Sequence, residues 1–290
     1  MARGNLIDEV DWMEAGDVEA LFPKGADIAV QTMNQGFEAE VVKIVRDKSS
    51  WVLKVWSKQA KPDIRYQYRL LSELHDRGLA VSKPIGWGVR GGGDPVLLTS
   101  FDGNAIARMD KGKMIEMARI LAAIHRLRIE DKIELPRYDF IDYFYPGVRE
   151  HPDLHDILVP LVRLAEVRQE RLIHGDYHLF NLVESEDGGR LTVIDWTNGQ
   201  LGDPRYDFAW SFVLKRIYVS ERYAQAFRQA YLAEHPYSPA ELEPFEALAC
   251  LRWMLLRRYG GVPNGADAMK RAEALIRGSA LLKSGGGLAL

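Results

Sequence analysis

The hydrophobic periodicity of this chain changes near residue 102, and that change constrains the fold more than any other feature. Before it, alternating or β-branched runs recur at 27–33, 38–45 and 51–56, separated by the turn-prone Asn34-Gln35-Gly36 and Asp47-Lys48-Ser49-Ser50. This spacing predicts a three-stranded meander. Pro62 opens a helical pattern in which Leu70, Leu71 and Leu74 recur until Gly78. Two further strands, 83–89 and 95–101, flank the turn Gly91-Gly92-Gly93-Asp94. Five antiparallel strands and one helix are therefore expected in a small first lobe spanning 1–101.

Beyond Asp102-Gly103 the stripe Met114, Met117, Leu121, Ile124 and Leu127 marks a long helix. From Tyr206 onward the pattern stays helical apart from breaks at 236–239 and 260–263 and a Gly-rich tail at 284–287. Between these regions short apolar runs at 171–174, 181–184 and 191–195 alternate with polar residues. The expected class is α+β, with a larger, mainly helical second lobe over 102–290.

Composition excludes some functions. With 38 basic against 41 acidic residues the formal charge is −3, so no net positive field recruits nucleic acid or an anionic membrane. No stretch approaches the ~18 uninterrupted apolar residues of a membrane span, and the N-terminus is acidic where a secretion signal is basic and then apolar. A cytoplasmic protein is expected. The lone cysteine, Cys250, sits in the apolar run LACLRWMLL and reads as a buried structural thiol.

The densest polar cluster is His174-Gly175-Asp176-Tyr177-His178-Leu179-Phe180-Asn181, followed by Val193-Ile194-Asp195-Trp196 and Gly202-Asp203-Pro204-Arg205-Tyr206-Asp207. Taken singly, an aspartate after glycine is as readily a turn or helix cap as a catalytic group. As a set, HGDxxxxN, then IDW, then GDPxxD resembles the aminoglycoside phosphotransferase and choline kinase family over about Gly36 to Asp207. The resemblance implies a two-lobed protein-kinase-like fold and an ATP-dependent, Mg²⁺-requiring transfer of the γ-phosphoryl group to a hydroxyl of a small molecule.

Phosphoryl transfer demands positioning and charge neutralisation more than covalent chemistry. Asp176 is then the group that orients the acceptor hydroxyl and takes its proton, and Asn181 and Asp195 supply hard oxygen ligands to Mg²⁺. His174, after apolar Leu172 and Ile173, reads as a hydrogen-bonded scaffold residue. His178 is either loop-shaping, substrate-facing or solvated. Asp207 precedes an apolar helix and is expected to hold the loop through backbone N–H groups.

In the first lobe, Lys54 stands alone on the apolar strand Val52-Leu53-Lys54-Val55-Trp56. A solvent-facing lysine of an edge strand would look the same, but the resemblance implies contact with the α and β phosphates. Gly36 would lie in the turn over those phosphates, and backbone groups near Ser100 and Phe101 would read the adenine edge. Where related kinases hold this lysine with a helix glutamate, the matching position here is Gln67, with Asp63 one turn earlier as the alternative anion.

The acceptor stays open among three readings. A hydroxylated metabolite leads, because Thr197 stands where many relatives carry an acid and the C-terminus, 285–290, is apolar and Gly-rich. An aminoglycoside- or macrolide-type antibiotic phosphotransferase is the second reading, and would use carboxylates such as Asp139, Asp142, Asp153, Asp156, Glu241, Glu243 and Glu246. Aromatics such as Tyr143, Tyr145, Trp210 and Trp253 are available to either acceptor. A catalytically silent nucleotide-binding module is the third. Only about ten residues separate Asp195 from Asp207, too few for a peptide-binding activation segment.

Overall fold

The computed structural model describes residues 6–33, 39–60, 62–129 and 132–283. The chain divides into two compact units: the residues up to Ala105 together with Leu182–Thr197, and Ile106–Asn181 together with Asn198 onward.

In the first unit, Val10–Glu14 (β1) and the short helix Val18–Leu21 (α1) precede Ala29–Thr32 (β2), Ala39–Arg46 (β3) and Ser49–Trp56 (β4). Helix Ile64–Asp76 (α2), Pro84–Arg90 (β5) and Asp94–Ser100 (β6) follow. All six strands join one antiparallel sheet in the order β1-β5-β6-β4-β3-β2. The expected five strands and single helix are thus corrected to six strands and two helices. The strand missed is β1, which pairs with β5 at the sheet edge. It turns Val10 inward and leaves Asp11 and Met13 exposed. Charged residues are common on edge strands, and two acids in five positions hid the alternation.

Strand β4 lies inside the sheet, paired with β3 on one side and β6 on the other. Its alternation sorts the side chains between two faces. Trp51, Leu53 and Val55 enter a core with Ile44, Ile85, Val96 and Leu98. Lys54, facing the opposite way, pairs in register with Val41 and Leu97. An interior strand with one cation on an otherwise apolar face is a stronger sign of a ligand than an edge lysine would be.

Helix α2 starts where Asp63 accepts a hydrogen bond from the Tyr66 N–H at 2.9 Å, a cap that contributes about 1 kcal/mol. Its buried face is Ile64, Gln67, Leu70, Leu71 and Leu74, laid on β5 and β6. After β6 the chain forms a short strand, Asn104–Ala105, paired with Leu182–Glu184, which in turn pairs with Leu191–Val193. A Cβ on Gly103 would come within 1.9 Å of the Glu184 carbonyl oxygen, so only glycine permits this approach.

The second unit is helical: Lys111–Arg126 (α3), Phe140–Phe144 (α4), Pro152–Ala165 (α5), Pro204–Tyr218 (α6), Glu221–Glu234 (α7), Pro239–Arg258 (α8), Ala266–Gly278 (α9) and Ala280–Lys283 (α10). Helices α6 and α8 pack together, α3 lies against α7 and α5 against α8. Phe140, Phe144, Tyr145, Tyr206 and Trp253 fill the core between them. Cys250 is buried in that core, where loss of solvent pushes its thiol up to about 12, which makes it an inert structural group. A two-stranded ribbon, Arg171–Ile173 with Gln200–Gly202, brackets the polar cluster in sequence. Among the described residues no helix is long and apolar enough to cross a membrane.

Candidate active site

The loop from His174 to Asn181 follows the strand Arg171–Ile173 and is pinned from below by one carboxylate. Asp207, in the first turn of α6 and fully buried, accepts the His174 N–H on Oδ2 at 2.8 Å and the Gly175 N–H on Oδ1 at 3.0 Å. Burial alone would raise its pKa, but the His125 hydrogen bond and charge and the His174 backbone N–H hold it below the ordinary carboxylate range. His125 Nε2 lies 3.1 Å from Asp207 Oδ2, and its Nδ1 lies 2.7 Å from the Tyr231 hydroxyl. Gly175 adopts φ +79°, and a Cβ there would sit 2.7 Å from the Asn198 carbonyl oxygen. The glycine of the motif therefore serves the backbone bend that presents Asp176.

His174 has no solvent exposure, its Nδ1 receives the Asp176 N–H at 3.3 Å, and its ring meets Tyr177 edge-on. Asn181 donates through Nδ2 to the Asp176 carbonyl at 2.9 Å, which closes the loop and leaves Oδ1 as the end able to ligate a cation.

Asp176 itself is surrounded by donors. Trp210 Nε1 donates to Oδ1 at 2.8 Å, Arg252 Nη2 lies 3.6 Å from the same oxygen, and His178 Nε2 lies 3.3 Å from Oδ2. Burial works to raise its pKa. The His178 hydrogen bond, the Arg252 charge and the Trp210 hydrogen bond outweigh that, so the carboxyl is held well below its usual range. Its side chain keeps about a quarter of its surface open, at 25%. An ionised, partly open carboxylate of this kind orients a hydroxyl more readily than it stores a proton.

Two residues of this environment have no motif to announce them. Arg252 lies inside α8, buried, with Nη1 donating to the Gly175 carbonyl at 2.9 Å and its guanidinium 4.2 Å from the Trp210 ring. Its signal was a lone charge within the apolar run Cys250 to Leu256, the same signal that marked Lys54. His125 sits in the same manner at the end of α3.

The aromatic residues separate by role. Tyr145 and Trp253 are core residues, whereas Trp210 reaches Asp176 and the Tyr143 hydroxyl reaches Asn198 Oδ1 at 2.8 Å. Most of the scattered acids are employed structurally. Asp139 caps α4, Glu241 closes a capping box with Ser238, Asp142 pairs with Arg149, Asp153 with Arg258, and Glu246 with Arg228.

In the first unit a cavity is lined by Lys54 and Gln67, by the apolar Val41, Val52, Leu97 and Val193, by Ser100 and Phe101, and by Asp195. Gly36 lies outside the described residues. Gln67 is 4% exposed and its Nε2 has no hydrogen-bond partner among the described residues, an orphaned buried donor that an anion would satisfy. Asp63 is committed to the α2 cap, and no bond joins it to Lys54. The Ser100 N–H donates to Lys83 O and the Phe101 N–H to Ser50 O, so these two residues can offer a base carbonyl oxygens and not N–H groups. Lys43 Nζ stands 3.6 Å from the Phe101 ring centroid.

Asp195 has φ +62°, a left-handed conformation uncommon for a residue with a Cβ, and the Thr197 hydroxyl donates to its Oδ1. The apolar walls, single cation, orphaned amide and two carboxylates, Asp195 and an Asp102 already bonded to the Ser100 hydroxyl and near Arg190, fit a nucleotide with its metal. Among the described residues no three His, Cys, Asp or Glu side chains gather to hold a metal unaided. A hard cation here would need phosphate oxygens to complete its shell.

The model of the phosphotransferase enzyme family (APH) matches residues 29–245. No curated protein matches the sequence significantly. Solved structures with the same fold include a Plasmodium vivax ethanolamine kinase, at 15% identity, TM-score 0.65, and coverage of 92% of this chain and 86% of that one. Another is a thermostable aminoglycoside phosphotransferase mutant solved with AMP-PNP and hygromycin B, at 17% identity, TM-score 0.63 and 94% and 100% coverage. A choline kinase from Streptococcus pneumoniae follows at 17% identity, TM-score 0.60 and 92% and 96% coverage. These likenesses establish the kinase-like fold, and the family match over well more than half of the chain shows that this protein belongs to the phosphotransferase enzyme family.

Proposed function

We propose that the protein transfers the γ-phosphoryl group of ATP to a hydroxyl of a small molecule, with Asp176 orienting that hydroxyl. The observation that carries this reading is the partly open Asp176 carboxylate, met by His178 Nε2, Arg252 Nη2 and Trp210 Nε1, on a loop whose backbone is held by Asp207. A silent module would have no reason to hold a partly open carboxylate among those donors.

On this reading Lys54 contacts the nucleotide phosphates, Gln67 donates its free N–H to the same anion, and Ser100 and Phe101 border the base. Asp195 and Asn181 are each proposed as ligands for Mg²⁺. When bound, the metal neutralises charge on the transferring phosphate. His174 and Asp207 support the loop without touching reactants.

The acceptor is proposed to be a neutral or anionic hydroxylated metabolite. A polycationic antibiotic would require carboxylates free to receive it, and most of the acids that could have served already cap helices or pair with arginines. Arg252 adds a positive charge beside Asp176. The test is ATP consumption against a panel of sugars, amino alcohols, hydroxy acids and antibiotics. Turnover with a neutral or anionic hydroxylated compound supports the assignment, and turnover confined to aminoglycosides overturns the acceptor class.

A further inference from the structure

Five arginines, Arg126, Arg128, Arg168, Arg171 and Arg205, line a cavity of about 340 Å³ that lies wholly within the second unit. This is an unusual concentration of positive charge in a chain whose formal charge is −3. None of the residues in the loop 174–181 borders it.

The charges in its wall do not cancel. Arg205 pairs with Asp203 at 2.7 Å, and Arg126 pairs with Glu234. Arg168 meets Glu166 only at 4.0 Å, with both side chains more than half exposed, a contact that contributes little. Arg128 and Arg171 have no carboxylate partner among the described residues, and Arg171 Nη1 is sealed from solvent with no acceptor. On the acidic side, Asp203 is taken by Arg205 and by the N–H groups of Arg168 and Arg205. Glu241 is occupied in its capping box. Its charge is not neutralised there and is felt by Arg205 and Arg168, so Glu170 and Glu241 together face the three guanidinium groups of Arg128, Arg168 and Arg171, an excess of one positive charge.

The helix starts at the cavity do not supply the attraction. Asp203 already caps α6 and Ser238 caps α8, so the backbone donors there are satisfied. What remains is a set of planar five-donor forks, the geometry that receives phosphate oxygens in pairs. Leaving a buried guanidinium N–H without an acceptor is unfavourable, and an oxyanion would supply one. Stacked His235 and Tyr237, with centroids 6.1 Å apart, give the cavity one flat wall that suits an organic substituent.

We propose that this cavity is a binding site for a phosphate-type dianion, free or as the ester of a small organic molecule, held by Arg128, Arg168 and Arg171. One residue of its wall, His125, is also the partner of the Asp207 that pins the loop carrying Asp176. The site therefore borders the network under the proposed catalytic loop.

The test is isothermal titration of inorganic phosphate and of glycerol 3-phosphate into the full chain. Because phosphate could also enter the nucleotide cavity, the same titrations are run on Lys54→Ala. Saturable binding is expected in wild type and in Lys54→Ala, with tighter binding of glycerol 3-phosphate indicating an ester and equal binding indicating the free ion. Arg128→Gln and Arg168→Gln, both at exposed positions, and Arg171→Gln should each weaken it by about 10-fold, the loss of one charge-assisted contact. Arg163→Gln, an exposed arginine outside the cavity, should leave it unchanged. Absence of binding in wild type at about 10 mM overturns the proposal. So does binding that survives all three cavity variants, or that disappears in Lys54→Ala alone.

Discussion

His178 Nε2 lies 3.3 Å from Asp176 Oδ2, while the Phe180 N–H donates to His178 Nδ1 at 3.2 Å. A ring nitrogen that accepts carries no proton, so the neutral imidazole has its hydrogen on Nε2, pointed at the carboxylate. The loop itself therefore sets the tautomer. Removing this donor takes away one of the interactions that favour ionised Asp176, and its pKa must rise. His178→Ala should move the acidic limb of the kcat/KM profile to higher pH and lower kcat by roughly 10-fold. His178→Gln, which retains an N–H donor, should recover part of both. An acidic limb that stays in place in His178→Ala would show that the carboxylate is controlled by Arg252 and Trp210 alone.

Gln67 brings a donor but no charge to the cavity that holds Lys54. Gln67→Leu should raise KM for ATP several-fold, since the amide proposed to meet the phosphates is removed, whereas Gln67→Glu should remain active. Asp63→Asn should leave KM unchanged because an asparagine can still cap α2. The ATP dependence of initial rates distinguishes the three variants. A large KM effect in Asp63→Asn with none in Gln67→Leu would assign the lysine's partner to Asp63.

Asp195 offers the cavity of the first unit its carboxylate. Asp195→Ala should remove most of the Mg²⁺ dependence of ATP binding, a loss of about 10-fold or more in affinity measured with the metal and little without it. Titrations with and without Mg²⁺ decide the point. Wild-type metal dependence in the variant would exclude Asp195 as a ligand.

Lys215 is buried in α6, with Nζ donating to the Ser211 hydroxyl at 2.6 Å and standing 4.1 Å from the Phe227 ring centroid. Burial lowers its pKa to about 7, although the Asp207 charge works in the other direction. In the unfolded chain the amine keeps its ordinary, higher pKa. Between about pH 7 and pH 10 the unfolded state therefore binds more protons than the folded one, and stability rises with pH across that window. The penalty is fully present below pH 7 and amounts to up to roughly 5 kcal/mol. Urea unfolding of Lys215→Met should lose this part of the slope and gain stability at pH 7. A slope equal to that of wild type would place the titration elsewhere.

What could be read from the sequence was the part carried by periodicity and by short-range motifs. The alternation in β3 and β4 and the 3.6-residue stripes of α2 and α3 reflect burial along a single element, which one segment reports by itself. Strand β1 escaped because an edge strand buries one face of only a few residues and carries acids on the other. In the site, the set His174, Asp176, Asn181 and Asp207 was legible because the loop and its pin are close in sequence. Arg252 and His125 reach Gly175, Asp176 and Asp207 from helices 77 and 82 residues away, and no local pattern encodes such meetings. Their trace was only a charged or polar residue inside an apolar helix run.

Single-turnover transfer measured with Asp176→Asn tests the central claim most directly. The variant keeps the shape of the side chain, so folding and ATP affinity should match wild type while phosphoryl transfer to the hydroxyl acceptor falls by at least ~10²-fold. Transfer at the wild-type rate in a folded, ATP-binding Asp176→Asn protein would contradict the assignment of Asp176 as the residue that orients the acceptor.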